Sequence, residues 1–425
     1  MTKAIGRLLI VGAGPAGIQT AALLQDQATH IGIASRPSAR WQRHGHLLKD
    51  KQAACVNVAK SNLAPLARTV TFDEVFDDLL TLEGEWDTLV IATPSYALAS
   101  VLLSLPVGCL QSVRDVVLLS SWVGGHKMAQ GYFAERGLNP NIVVFSNYYA
   151  ATKFDTDSST VNVLTKAVKK RIYAYVSQDS KGAFLALNEA LNKVGTDVKR
   201  LESGYSVEGR NITLYVHPAF FLTPFSLDHI LGSSDETKYM YKLFPEGPIT
   251  PATMKTMVGL WQDLSLLMRQ LGGVPFNLLQ FLNDDNYPVH EATLSRHDID
   301  TFADCQPIEQ EYRLYVRYSA ILIDPFSVPD EQGRYFDFSA VPFARGDLEH
   351  QSWPRIPSED IHALYWVRAL AHYVGVALPT VSRLLDELEK WLCHRQIPNH
   401  FLESSHCHET QSLQWLALLL GDNHE

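Results

Sequence analysis

The sequence predicts a two-domain chain: an α/β N-terminal domain with a Rossmann-like doubly wound sheet, residues 1–180, followed by a mainly α-helical domain, residues 181–425. Three observations predict it. Gly12, Gly14 and Gly17 stand in the spacing G-x-G-x-x-G between an apolar run and an alanine- and leucine-rich run. Apolar runs ending in small polar residues then recur to about residue 150. Beyond about Ser180 the period changes, and apolar residues return every three or four positions.

Leu8 to Val11 is continuously apolar, as a strand buried on both faces requires, and Ile18 to Leu24 continues as a helix. Between them Gly12 allows a tight turn, Gly14 lets the backbone approach a pyrophosphate, and Gly17 lets helix and strand pack closely. The helix N-terminus then faces the phosphates of a dinucleotide. The next strand, "HIGIASRPSAR", delivers the residue that meets the adenosine ribose. It reads Ala34, Ser35, Arg36, with Arg40 and Arg43 close behind. A carboxylate that would accept from a 2′-hydroxyl is missing, and guanidinium groups suit a 2′-phosphate. NADPH is the cofactor these residues predict. "DTLVIATPSYAL", "DVVLLSSWVGG" and "NIVVFSNYYAATK" are read as further buried strands. The carboxyl ends of such strands face the ligand, which places Thr93 to Ser95, Ser120 to Gly124 and Ser146 to Lys153 around the cofactor and the reacting carbon.

"TKAVKKRIYAYVS" is read as a short helix passing into an edge strand. "KGAFLALNEALNKVG", "PATMKTMVGLWQDLSLLMRQLGG", "SEDIHALYWVRALAHYVG" and "TVSRLLDELEKWLCHR" carry the helical period. Four polar-aromatic segments interrupt them: "EGRNITLYVHPAFFL", "YMYKLFPEGPITP", "FLNDDNYPVHE" and "GRYFDFSAVPFARG". Ionisable groups among aromatics and turn residues, four times over, read as the lining of a cleft. The C-terminal "WLCHRQIPNHFLESSHCHE" carries histidines and cysteines at no standard metal spacing and is read as a flexible polar tail, with no metal site.

Bulk composition narrows the class. A chain of 425 residues, 46% hydrophobic, exceeds what one core holds. A net charge of -10, without a run of five or six basic residues, argues against nucleic acid or an anionic membrane as partner. The five cysteines are scattered and odd in number, as free thiols of a reduced compartment are. No run reaches the ~18 apolar residues of a membrane span, and no secretory leader is evident, so a cytoplasmic enzyme is expected.

"YYAATK", "LTKAVKKRIY", "EGRNITLYVHPAFFL", "MYKLFPEGPITP", "FLNDDNYPVHE" and "DEQGRYFDFSAVPF", in this order behind the glycine triplet, resemble the opine metallophore dehydrogenases, the staphylopine and pseudopaline branch of the opine dehydrogenases. The resemblance runs to about Phe343. It implies a catalytic helical domain, a homodimer, and a reductive condensation in which the amine of an aminobutyryl-histidine intermediate attacks an α-keto acid and NADPH reduces the imine. Metal is then bound by the product.

Such chemistry needs a group that moves protons near neutral pH, and His217, in an Asn…His-Pro setting like that of the opine dehydrogenases, is the candidate. Asp284 and Asp285 are the carboxylates expected to orient it, with no choice between them. Arg210, Lys153 and Lys242 are candidates for the substrate carboxylates. Ala151 stands where some members of the family carry an acidic residue. Alanine leaves room for a second carboxylate and removes the repulsion, which favours 2-oxoglutarate over pyruvate. Two rival readings share the same motifs: another NADP-dependent opine or 2-hydroxy-acid dehydrogenase, and a non-enzymatic NADP-binding redox sensor.

Overall fold

A computed structural model of the chain describes residues 4–155, 160–178, 182–232, 236–322, 341–347 and 352–420. It divides into two compact units, Met1–Asn211 with Thr410–Glu425, and Ile212–Glu409.

The first unit runs β1 (Gly6–Val11), α1 (Pro15–Leu24), β2 (Ala28–Ala34), α2 (Ala39–Lys51), β3 (Ala53–Val58), β4 (Arg68–Thr71), β5 (Glu74–Phe76), β6 (Thr88–Ile91), α3 (Leu98–Ser104), β7 (Asp115–Leu118), α4 (Gly125–Ala134), β8 (Asn141–Phe145), β9 (Ala150–Phe154), β10 (Val161–Val168), β11 (Arg171–Val176), α5 (Ala183–Lys193), β12 (Asp197–Arg200) and α6 (Gly204–Glu208). Among the described residues the main sheet has the order β12-β11-β8-β7-β6-β1-β2-β5, and a smaller one the order β4-β3-β10-β9. From β8 to β5 the main sheet is parallel, and β11 joins β8 antiparallel. Strands β6, β7 and β8 are buried at every position, which is why they read as unbroken apolar runs. The chain leaves β1 toward β2 and β5, then crosses over to β6. The carboxyl ends of β1 and β6 are therefore the switch point where doubly wound sheets bind ligands.

The stretch "TKAVKKRIYAYVS" is not helical: it is the end of β10, a two-residue link and β11. β11 is no edge strand either, since β12 covers it. The difference has a physical source. An extra residue at Lys166 breaks the pairing between Thr165 and Ala167, and a bulge erases the period of two by which strands are recognised. The first unit also continues past residue 180. Helix α5 buries Ala183, Phe184, Leu187 and Leu191 in its core, and β12 extends its sheet.

The second unit contains α7 (Thr213–Phe221), α8 (Pro224–Leu231), α9 (Pro251–Gln270), α10 (Leu278–Asp284), α11 (Arg296–Asp300), α12 (Pro307–Leu322), α13 (Arg355–Tyr373), α14 (Pro379–His394) and the start of α15 (His400–Leu420). Helix α9 is its centre and packs on α7, α12 and α14, while α7 packs on α13. Thr250 and Thr253 close a capping box at the start of α9, with Pro251 in the first turn. Asp263, inside α9, accepts from the Thr380 and Val381 N–H groups and so caps α14.

The segment expected to be a flexible tail is the end of α14 and the first half of α15, and apolar residues in the second half of α15 give that helix something to bury. Trp415 is fully buried in the first unit and donates to Glu135 at 3.0 Å. Gly131 makes the fit possible, since a Cβ there would lie 2.0 Å from the Trp415 carbonyl oxygen. The side chains of His406, Cys407 and His408 lie outside the described residues, as does most of "DEQGRYFDFSAVPF". Among the described residues, no helix is long and apolar enough to cross a membrane.

Candidate active site

The glycine triplet lies between β1 and α1. Gly12 has φ +118, and a Cβ on it would meet the Ala92 carbonyl carbon at 2.8 Å, so the residue after β1 touches the residue after β6 without a side chain between them. A Cβ on Gly17 would lie 1.9 Å from the Gly12 oxygen, which explains the third glycine. Gly14 differs: a Cβ there would project into open space, so packing does not demand glycine at that position. The open side leaves room for the close approach of a ligand. No side chain caps α1, leaving its first N–H groups for an anion. Beside them Thr93 Oγ1 is buried and has no hydrogen-bond partner among the described residues. These features fit a bound pyrophosphate.

Arg36 follows β2 and donates from Nη1 to Ser100 Oγ at 2.9 Å, which ties it to α3. The side chain of Arg40 lies outside the described residues.

The second glycine-rich turn, expected near the cofactor, is filled from within. Glu208 is fully buried and accepts from the Gly124 and His126 N–H groups at 2.7 Å and from His126 Nδ1 at 2.8 Å. The N-terminus of α4 therefore already holds a carboxylate and is not an anion site. Glu208 lies in "EGRNITLYVHPAFFL", and nothing local in the sequence relates it to a turn 82 residues earlier.

In the second unit His217 lies on α7 and Asp360 on α13. His217 Nδ1 is 3.2 Å from Asp360 Oδ1, with the imidazole 15% exposed and the carboxylate 5%. An ionised Asp360 makes Nδ1 the donor and frees Nε2 for proton exchange. Asp360 Oδ2 is buried and unpartnered among the described residues. The Tyr241 ring packs on Phe221, which in turn lies 5.3 Å from the His217 ring. Burial and the nearby Asp360 carboxylate push the Tyr241 phenol well above its ordinary range, so it stays a neutral hydroxyl.

The expectation that Asp284 or Asp285 orients His217 is thus corrected: the carboxylate is Asp360. Asp284 is held by Arg296, whose Nη1 donates to both carboxylate oxygens at 2.9 Å. Asp285 is buried at the end of α10, where its N–H donates to the Phe281 carbonyl. A signal for Asp360 existed. It occupies the same helical stripe as Leu364, Val367 and Ala371, all buried, and a carboxylate on an apolar stripe calls for a partner.

The substrate candidates separate. Lys242 donates to Glu246 at 2.8 Å and lies over the Tyr239 ring, a surface pair. Arg210 donates to the Ser206 carbonyl at 2.7 Å and covers Tyr173. Ala151 and Lys153 share the exposed face of β9, two residues apart.

Comparisons with known proteins place the chain in a family. The family model of staphylopine dehydrogenase matches residues 6–414. Pseudopaline synthase of Pseudomonas aeruginosa is 40% identical over 392 residues, covering 91% of this chain and 90% of the relative. Yersinopine synthase of Yersinia pestis is 34% identical over 447 residues, covering 98% of this chain and 95% of the relative. A solved structure of yersinopine dehydrogenase with NADP+ bound superposes with a TM-score of 0.86 at 31% identity, over 98% of this chain and 99% of the other. A chain matched over this length and at this identity belongs to the staphylopine dehydrogenase family and is an opine dehydrogenase, an oxidoreductase.

Proposed function

We propose that the chain catalyses the NADPH-dependent reductive condensation of an aminobutyryl-histidine intermediate with an α-keto acid, 2-oxoglutarate in preference to pyruvate, to form an opine-type metallophore. The observation that carries the reading is His217 held by Asp360 with Nε2 left for proton exchange. His217 Nε2 takes a proton from the substrate ammonium, and the freed nitrogen attacks the keto carbon. After the attacking nitrogen has passed a proton to the alkoxide, the imidazolium returns its own to the resulting hydroxyl, water leaves, and a protonated imine remains. Asp360 keeps the ring in one orientation and stabilises the imidazolium between the two transfers. NADPH, when bound, supplies the hydride that turns this imine into a secondary amine.

The first unit supports the cofactor assignment. The N–H groups at the start of α1 suit the pyrophosphate, the open side of Gly14 admits it, and Arg36 suits the 2′-phosphate. Yersinopine dehydrogenase, similar over almost the whole chain, has been solved with NADP+ bound. Ala151, small and on the exposed face of β9, supports the longer keto acid. The same reading includes a homodimer in the cytoplasm.

Loss of NADPH absorbance tests it. The signal should require both the amine and the keto acid, and NADH should serve far less well. Equal NADPH consumption with keto acid alone would make the chain a 2-hydroxy-acid dehydrogenase and overturn the proposal.

A further inference from the structure

Strands β9 and β10 present two very different faces. On the inner face Thr152 and Thr165 lie opposite each other with hydroxyls 3.1 Å apart. Thr152 also meets the Tyr148 hydroxyl at 2.9 Å. Tyr148 and Tyr149 both donate to the side-chain oxygen of Gln19, and Thr20 meets the Tyr149 hydroxyl at 2.8 Å. Gln19 and Thr20 belong to α1, so a buried polar network fixes β9 to the helix that faces the phosphates.

The outer face carries Ala151 and Lys153. In register, Leu164 faces Lys153 and Thr165 faces Thr152, but Ala167 faces Ala151, so Lys166 is an inserted residue. Thr165 is buried, whereas Lys166 and Ala167 are both exposed: the bulge turns two successive side chains outward. Lys166 therefore joins Lys153 on the face that carries Ala151. Neither ammonium has a carboxylate or other hydrogen-bond partner among the described residues. Like charges at neighbouring strand positions repel, and an anion between them reverses the sign.

We propose that the outer face of β9 and β10 is a carboxylate receptor, in which Lys153 and Lys166 flank Ala151 and hold the distal carboxylate of a dicarboxylic α-keto acid. This rests on the reading that the keto acid lies at Ala151. It adds the groups that attract the second carboxylate to the alanine that merely admits it. The inner network gives the face a fixed position relative to α1, as a site that discriminates by charge requires.

The test uses the full chain with amine and NADPH saturating, and compares kcat/KM for 2-oxoglutarate and pyruvate. The unmodified protein should prefer 2-oxoglutarate. Lys166→Met should lower the 2-oxoglutarate to pyruvate ratio about tenfold, the scale of one charge-assisted contact, chiefly through KM. Lys153→Met should act in the same direction, and Lys166→Arg should retain most of the ratio. If the unmodified protein prefers 2-oxoglutarate and both Met variants keep its ratio, the receptor is wrong while the keto-acid reading stands. If the unmodified protein prefers pyruvate, the keto-acid reading fails and the receptor fails with it.

Discussion

His217 has one ring nitrogen engaged and one available, and the group that engages it is itself half satisfied. Asp360 Oδ2 is buried without a partner among the described residues, a state that costs about 1–3 kcal/mol. Folding gains nothing from keeping a second carboxylate oxygen there, whereas the proposed proton transfer at His217 would gain a charge that stabilises the imidazolium. Asp360→Asn separates the two. It keeps the shape but removes the charge, so kcat should fall about 10²–10⁴-fold, while the melting temperature is unchanged or raised. Kinetics and a thermal melt on the same preparation check this. A kcat within a factor of about two of the unmodified protein would make Asp360 a structural residue.

Two helix N-termini at the carboxyl side of the main sheet show how one element stays open to an anion and its neighbour does not. Helix α1 has no side-chain cap, whereas α4 is filled by Glu208. At the junction of β10 and β11, Lys169 is a cation in poor surroundings. Burial pushes its ammonium down to about 8. Its folded value lies below the ordinary ~10.4, so the unfolded chain binds more protons between the two values and Lys169 opposes folding most at pH below about 8. Lys169→Met should therefore stabilise the protein by roughly 1–3 kcal/mol at pH 7. That gain should shrink as pH rises from about 8 toward 10. Melting temperatures across this range decide it. A gain that grows with pH would contradict the burial argument. The bulge that defines this region was illegible in the sequence, because one inserted residue destroys the alternation by which strands are read.

Across the whole molecule, legibility followed the distance along the chain over which a feature is built. Strand, glycine triplet and helix are consecutive, Gly12 and Gly17 meet requirements set by the adjacent strand of the sheet and within the motif, and Gly14 faces open space, so this turn was readable. The pair of His217 and Asp360 spans 143 residues, and Glu208 reaches its turn across 82. Helical periodicity marks Asp360 as a buried carboxylate but names no partner for it, and nothing local marks Glu208; packing of α7 on α13 and of α6 on α4 makes the pairs. The helical period was clear enough to place α9, α13 and α14, yet it could not tell that α5 belongs to the first unit. The central claim is that this scaffold joins an amine to a keto acid and reduces the product. Mass spectrometry of the reaction of NADPH and the aminobutyryl-histidine intermediate with an equimolar mixture of pyruvate and 2-oxoglutarate reads amine, keto acid and bond together. A dominant secondary amine with the mass of the 2-oxoglutarate adduct is expected. A dominant hydroxy acid with the amine unconsumed would contradict it.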